Sequence, residues 1–221
     1  MSGPLQHSTL PKIRSMQSWQ QVARRIRVPL GFLTAAIFLV EVARRPPHSA
    51  AIAWSLLLVL PGLALRAAAS GTVKKNQELT VTGPYAYTRN PLYLGSTLIA
   101  GGFAVALLSW PVALLLAFGF AAIYIPVIAS EERFLRATFP EFDGYCRSVP
   151  RFIPRLTPAK PPAELALPAV SQPVTQTAVR GFSFALYLRH REYNSALGAA
   201  LLYLSLLYLQ PVLETLLHRA W

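Results

Sequence analysis

The chain has 221 residues, of which 53% are hydrophobic and only 14% are charged. Soluble domains carry about 25% charged residues, so this composition excludes an ordinary soluble domain and favours a membrane protein. The net charge of +12 is compatible with a nucleic-acid partner. The chain has a single cysteine, Cys146, which excludes an internal disulfide and a cysteine metal cluster. The sequence therefore predicts no metal site.

The first 27 residues are mostly polar and lack the pattern of a cleaved signal peptide. From Trp19 to Arg27, apolar residues recur at i, i+3, i+4 and i+7, and arginines occupy the opposite face. This pattern is typical of a helix lying in the plane of the lipid headgroups. A plain cytosolic segment next to the membrane fits nearly as well. We therefore interpret 1–27 as a cytosolic or interfacial segment.

Five apolar stretches follow. A helix needs roughly 20 apolar residues to cross about 30 Å of hydrocarbon. Residues 90–130 contain no Asp, Glu, Lys or Arg and divide near Trp110 into the two halves of a helical hairpin. The first stretch is shorter, carries Glu41 near its end, and is interpreted as a short or tilted span. Buried core helices of a large soluble protein are the alternative, but too little polar sequence remains to cover them. The predicted spans are 28–43, 48–66, 91–109, 111–130 and 194–213.

The predicted fold class is therefore all-α: a polytopic integral membrane protein with about five transmembrane helices and an N-terminal interfacial helix. With the N-terminus inside, all of the 21 Lys and Arg residues except Arg44, Arg45 and Arg219 fall on the inner side. This asymmetry predicts a cytosolic N-terminus in a multi-pass protein of the inner or plasma membrane. It also assigns the basic excess to the bilayer rather than to nucleic acid.

Two polar regions on the predicted inner side differ from simple connecting loops. The first, 83-GPYAYTRNPLYLG-95, enters the third span, and the second, 131-EERFLRATFPEFDGYCRSVPRFIPR-155, leaves the fourth. The ends of a hairpin lie together, so the two regions should meet. Carboxylates at this depth are costly unless they are paired or solvated in a cavity, which makes Glu131 and Glu132 candidates for a site. The alternative for Glu132 is a surface ion pair with Arg136 at i, i+4.

The first region resembles the G-P-Y-x-Y-x-R-H-P-x-Y-x-G signature of the isoprenylcysteine carboxyl methyltransferase and phospholipid methyltransferase family. In that family a second motif follows one hairpin later, with a Glu-Glu pair, spaced aromatic residues, Val-Pro and Phe-Ile-Pro. Both motifs occur here, over residues 83–155. The matching residues of the second motif are Glu131-Glu132, Phe139, Tyr145, Val149-Pro150 and Phe152-Ile153-Pro154.

The resemblance implies S-adenosylmethionine as the methyl donor, held on the cytosolic side, and a lipid or prenylated acceptor that approaches through the bilayer. Asn90 stands where the family commonly has His, and an asparagine cannot act as a base near neutral pH. A helix-capping role is the alternative for Asn90. Pro140 stands where Gly is usual. Carried over to matching positions, the implied cofactor pocket is lined by Asn90, Pro91, Tyr93, Gly95, Glu131, Glu132 and Tyr145.

The chemistry of the residues independently fits a sulfonium cofactor with an amino acid end. Glu131 or Glu132 suits its ammonium or ribose hydroxyls, and Arg89 or Arg151 suits its carboxylate through a bidentate fork. The tyrosines of the first motif offer ring faces for adenine or for the cation. The predicted catalytic residues are Arg89 and Glu132, and Tyr87 and Arg151 complete the predicted cofactor-binding set.

The sequence favours an oxygen acceptor over a nitrogen acceptor. A carboxylate is already ionised, whereas an ammonium must first lose a proton to a base. Among these motif residues only Glu131, Glu132 and the tyrosines could serve as that base. Two alternatives remain, namely a phospholipid amine N-methyltransferase and a non-catalytic membrane protein that keeps the fold. The predicted regions are an N-terminal segment (1–27), a methyltransferase core (28–155), a proline-rich linker (156–180), and a basic segment with a C-terminal transmembrane helix (181–221).

Overall fold

A computed structural model describes residues 36–44, 48–74, 78–160 and 181–219. The described part is all-helical, as the sequence predicts, and contains no strand. The predicted interfacial helix at 19–27 and most of the proline-rich linker lie outside the described residues. The helices are α1 (36–44), α2 (Ser49–Thr72), α3 (Pro91–Leu107), α4 (Trp110–Thr138), α5 (Phe142–Ser148), α6 (Phe184–Arg189) and α7 (Tyr193–Arg219), with a 3-10 turn at Gly83–Ala86.

Within the described residues, two helices are long and apolar enough to cross a membrane. They are α2, with a mean hydropathy of 1.8, and α4, with a mean hydropathy of 2.5. The apolar parts of α3 and α7 are shorter, at 17 residues or fewer. The structure therefore supports a membrane protein, but it does not confirm the predicted count of about five spans.

The hairpin boundaries follow from proline placement. Pro91 and Pro111 occupy the first turns of α3 and α4, where a missing backbone N–H costs little. At the other end, α4 extends beyond residue 130, where the predicted fourth span ends. It continues through Glu131 and Glu132 to Thr138, because this segment keeps good helix-forming residues such as Glu, Arg, Leu and Ala. The Glu-Glu pair therefore lies on a helix rather than in a loop.

Glycines allow α2 and α3 to pack closely. A Cβ on Gly95 would lie 2.8 Å from the carbonyl oxygen of Gly62, and one on Gly102 would lie 2.9 Å from that of Ser55. Both distances are too short for a real side chain, so the helices can approach this closely only because these positions are glycine.

An apolar core packs α1 and α7 against this pair. Within it, the ring of Phe38 in α1 meets that of Phe103 in α3 edge-on, with the ring centroids 5.7 Å apart. The hydroxyl of Tyr203 in α7 lies 2.7 Å from that of Ser55 in α2, so the two satisfy each other inside the apolar interior. The buried core residues are Phe38, Val42, Val59, Phe103, Ala106, Ala199 and Leu206.

Adding one methyl group at the α2–α3 contact should destabilise the fold. Gly95→Ala forces the two backbones apart, and overpacking of this kind typically costs about 1–3 kcal/mol. We expect a lower melting temperature in detergent. Gly101→Ala is the matched control, because its Cβ would meet only Leu58 at 3.9 Å. If Gly95→Ala and Gly101→Ala melt at the same temperature, the close contact described here is wrong.

Candidate functional site

A cavity of about 580 Å³ lies at the motif end of the α3–α4 hairpin, which we define as the end that carries residues 83–95 and 131–155. Its wall is formed by five parts of the chain: the end of α2, the turn before α3, the polar part of α4, α5 and the α6–α7 connection. The two sequence motifs thus meet around one space, as the hairpin predicts. The lining residues that the sequence analysis selected are Arg89, Asn90, Pro91, Tyr93, Glu131, Glu132 and Tyr145.

Glu132 is the buried charge at the centre of this wall, with 6% of its surface exposed. Its Oε2 accepts a hydrogen bond of 2.5 Å from Arg151 Nη2, and its Oε1 lies 3.5 Å from Arg89 Nη2. The alternative of a surface pair with Arg136 is wrong, because Arg136 instead donates to Asp143 at 2.7 Å. One carboxylate therefore compensates two guanidinium groups that come from the two motifs.

Arg89 is fixed on several sides. Its backbone N–H donates to the carbonyl oxygen of Pro150 at 3.0 Å, and its Nη1 donates to the sulfur of Cys146. Its buried Nε has no hydrogen-bond partner among the described residues. The sequence pairs Arg89 with the carboxylate of the cofactor, but in the structure Glu132 supplies its countercharge.

Glu131 is the more exposed acid of the pair and accepts a hydrogen bond of 2.9 Å from the hydroxyl of Tyr93. The Tyr93 ring in turn meets Tyr124 of α4 edge-on, with the centroids 4.7 Å apart. Both tyrosines line the cavity beside Glu131. A carboxylate and aromatic rings in one cavity wall are a suitable environment for a small cation.

Asn90 does not cap α3 through its side chain, although it occupies the N-cap position. Its Nδ2 instead donates to the carbonyl oxygen of Arg151 at 2.8 Å, while Thr88 Oγ1 donates to that of Phe152 at 3.0 Å. These bonds join the first motif to the Val-Pro and Phe-Ile-Pro segment of the second. The capping alternative for Asn90 is therefore wrong, because its amide is used to hold the two motifs together.

Two tyrosines form the floor of the cavity. The hydroxyl of Tyr145 donates to the carbonyl oxygen of Tyr85 at 2.7 Å. Burial, reinforced by the negative charges of Glu131 and Glu192, raises the pKa of Tyr85 well above its usual value of 10.0. Burial also raises the pKa of Tyr145, with a further contribution from Tyr85. Both phenols therefore remain neutral at physiological pH, and any stability that they provide is complete below pH 10 and declines above it.

Three predicted cofactor-binding residues do not line the cavity. The Gly95 backbone packs against α2, as its close approach to Gly62 shows. Tyr87 is more than a third exposed, and its carbonyl oxygen accepts from the N–H of Arg155 at 2.9 Å. Arg151 donates two hydrogen bonds to Glu132, which does line the cavity. In this arrangement Gly95 packs against α2 and Arg151 pairs with Glu132, so their predicted contacts with a cofactor stay predictions.

The α6–α7 connection closes one side of the cavity, a contribution that the sequence does not predict. Glu192 Oε1 accepts from Arg66 Nε at 2.5 Å and from the Ser195 hydroxyl at 2.7 Å. Arg66 also donates to the hydroxyl of Ser96 in α3, and His190 Nδ1 lies 2.8 Å from the carbonyl oxygen of Ser70. The only sequence signal was an isolated acid, Glu192, among basic residues.

The described helices enclose a polar, acid-lined cavity at the end of a hairpin, and two of them are apolar enough to cross a membrane. Residues 53–141 match the sequence model of the phospholipid methyltransferase family. The family resemblance predicted from the two motifs is confirmed over this region. The match ends before α5, so Tyr145 and Arg151 lie beyond it.

Two curated relatives are similar to this chain over 84 residues, at 43% identity. They are the nickel-cobalt-cadmium resistance protein NccN of Alcaligenes xylosoxydans xylosoxydans and the cobalt-zinc-cadmium resistance protein CzcN of Cupriavidus metallidurans. The similarity covers 38% of this chain and 39% of each relative, so the chain spans about two fifths of the relatives that it matches. No solved structure matches the chain.

Proposed function

We propose that this protein transfers a methyl group from S-adenosylmethionine to a lipid-like or prenylated acceptor in the membrane, with a carboxylate oxygen as the preferred acceptor atom. The observation that carries the proposal is the cavity in which the two methyltransferase motifs meet. Residues from both motifs line it, and they include Arg89, Tyr93, Glu131 and Glu132.

The cavity suits the cofactor in size and in chemistry. Its volume of about 580 Å³ lies within the roughly 300–1,000 Å³ of small-molecule sites. Its wall combines carboxylates, guanidinium groups and tyrosine rings, which match the ammonium, the carboxylate and the aromatic base of S-adenosylmethionine. The buried, unpaired Nε of Arg89 is a further donor for a ligand. When bound, the cofactor supplies an activated methyl group.

The roles of the acids differ in this proposal. Glu131, held by Tyr93, receives the ammonium or the ribose hydroxyls. Glu132 is already committed to Arg89 and Arg151, so its task is to position Arg89. Asn90 and Pro91 shape the wall beside them, and Tyr145 fixes the turn that carries Tyr85. Tyr87 is exposed and lies outside the cavity lining, so in this proposal it contacts the cofactor only from outside the cavity.

The site favours an acceptor that needs no deprotonation. Tyr85 and Tyr145 have raised pKa values and do not supply a phenolate near neutral pH. Asn90 does not titrate. A carboxylate acceptor arrives ionised, so the chain has only to align it and exclude water. This reasoning supports O-methylation.

A phospholipid amine is the second candidate acceptor, and the description of the matching family model favours it. It would require Glu131 or a water molecule beside it to take a proton from the ammonium. The two acceptors differ in pH dependence. N-methylation should rise with pH as the amine loses its proton, whereas O-methylation should not.

An apolar groove supports a substrate with a hydrocarbon chain. The groove has a volume of about 610 Å³ and lies between α3 and α4 on the side away from the motif end, near Leu108 and Trp110. Its wall includes Phe120, whose ring meets Tyr124 of the cavity wall with the centroids 4.7 Å apart. Aromatic residues therefore connect the groove to the cavity, which suits an acceptor with a polar end and an apolar tail.

The proposal predicts that Glu131→Gln weakens S-adenosylmethionine binding. Loss of a charged hydrogen-bond partner typically costs about 1.5–3 kcal/mol, or roughly tenfold to a hundredfold in affinity. Calorimetric titration of the purified protein measures the change. Asp143→Asn is the control, because Asp143 pairs with Arg136 outside the cavity. Unchanged affinity in Glu131→Gln would contradict the role of Glu131. If wild-type protein does not bind at millimolar cofactor, both enzyme proposals fail and a non-catalytic membrane protein is favoured.

The names of the two relatives describe resistance to metals and specify no reaction. Among the residues that the structure describes, no group of three or more His, Cys, Asp or Glu side chains is arranged to hold a metal ion. The reaction proposed here therefore depends on the motifs and the cavity, and not on the names of the relatives.

A further inference from the structure

The charges of the cavity wall are almost fully paired within the chain itself. Its lysine and arginine residues are Arg66, Lys74, Arg89 and Arg191. Three of them pair with an acid of the same wall: Arg66 with Glu192 at 2.5 Å, Lys74 with Glu78 at 3.4 Å, and Arg89 with Glu132 at 3.5 Å. Among the described residues, only Arg191 of this set lacks an acidic partner.

The backbone of Arg191 is unusual. Helix α6 ends at Arg189, and Arg191 follows with a φ of 54°, in the left-handed region. Its N–H donates to the carbonyl oxygen of Leu188 at 3.0 Å and closes the end of the helix. Gly or Asn is the favoured residue at such a position, because a larger side chain strains the backbone. The arginine is therefore not explained by local structure, and Arg191 is an exposed residue that lines the cavity.

The cavity needs such a cation if the cofactor is S-adenosylmethionine. The cofactor has a carboxylate at its amino acid end, and the sequence analysis assigned that group to Arg89 or Arg151. Both of these side chains are committed to Glu132. An arginine with no acidic partner offers a bidentate fork to a carboxylate without first breaking an ion pair.

We propose that Arg191 is the anion-binding residue of the cavity and receives the carboxylate at the amino acid end of the cofactor. This assignment depends on the proposed function, and it makes the α6–α7 connection part of the binding site. Arg66 and Glu192 then have a positioning role, because their ion pair fixes the residue next to Arg191 against α2.

Binding of two ligands distinguishes a contact with the amino acid end from a general loss of cofactor binding. S-adenosylhomocysteine carries the amino acid end, whereas 5′-methylthioadenosine lacks it. We expect Arg191→Gly in the full-length protein to weaken S-adenosylhomocysteine binding roughly tenfold to a hundredfold. Binding of methylthioadenosine should be unchanged. Because glycine adopts a positive φ without strain, the melting temperature should stay equal or rise.

Arg189→Ala is the matched control, since it removes one positive charge from the exposed end of α6 without touching the cavity. It should leave both affinities unchanged. The proposal is overturned if Arg191→Gly binds S-adenosylhomocysteine as tightly as wild type, or if it weakens both ligands equally. If Arg189→Ala loses the same affinity for S-adenosylhomocysteine, the effect comes from net charge alone, and the proposal is also overturned. Wild-type protein that binds neither ligand would refute the proposed function, and this inference with it.

Discussion

Replacing Glu132 with Gln should lower the free energy of unfolding by about 2–5 kcal/mol, because it leaves Arg89 buried without a countercharge. Glu132 is 6% exposed and compensates both Arg89 and Arg151. A glutamine keeps the shape of the side chain but offers a neutral oxygen to two cations. The loss should appear as a lower melting temperature in detergent, together with weaker S-adenosylmethionine binding.

Glu131→Gln provides the comparison for this result. Glu131 is exposed and accepts its hydrogen bond from the neutral hydroxyl of Tyr93, so its loss should reduce binding with little change in melting temperature. The sequence does not distinguish Glu131 from Glu132, but in the structure Glu131 is exposed and Glu132 is buried. Equal melting temperatures for wild type, Glu131→Gln and Glu132→Gln would contradict the structural role of Glu132.

The second large effect concerns Arg89. Arg89→Lys keeps the positive charge but loses the fork that reaches both Glu132 and the sulfur of Cys146. We expect turnover to fall roughly tenfold to a hundredfold, the cost of about 1.5–3 kcal/mol of charged hydrogen bonding. The melting temperature should change little, because a lysine still provides a charge for Glu132. Arg89→Ala should lose both turnover and stability.

Arg147→Lys is the control for Arg89→Lys, because Arg147 is exposed on α5 and lies outside the cavity. Its turnover should equal that of wild type. Full activity in both Arg89→Lys and Arg89→Ala would mean that Arg89 contributes only to membrane topology. The proposed catalytic role of Arg89 would then be wrong.

The convergence of the two motifs was predictable because it depends on local rules. An uninterrupted apolar run with a turn near Trp110 forces a hairpin, and a hairpin brings its ends together. The placement of Tyr93 beside Glu131 follows from this alone. The helical extension of α4 to Thr138 was missed because the end of an apolar run marks the edge of the bilayer and not the end of the helix.

Three features of the site were not predictable because they depend on packing between distant segments. Arg66 and Glu192 are separated by 126 positions in the chain, and nothing local to either indicates the other. Helical spacing offers Arg136 as an alternative partner for Glu132, but Arg136 pairs with Asp143, and Glu132 pairs with Arg89 and Arg151 instead. The role of Gly95 depends on its neighbour Gly62 in α2, and the sequence alone does not show which helix faces it.

The most direct test of the central claim uses S-adenosylmethionine labelled with a trideuterated methyl group. Membranes containing the wild-type protein are incubated with this cofactor, and their lipids and prenylated components are examined by mass spectrometry. We predict that an apolar acceptor gains one labelled methyl group, and that this gain falls sharply with Arg89→Lys and persists with Arg147→Lys. The absence of any label gain with folded wild-type protein, or an equal gain with Arg89→Ala, would contradict methyl transfer at this site.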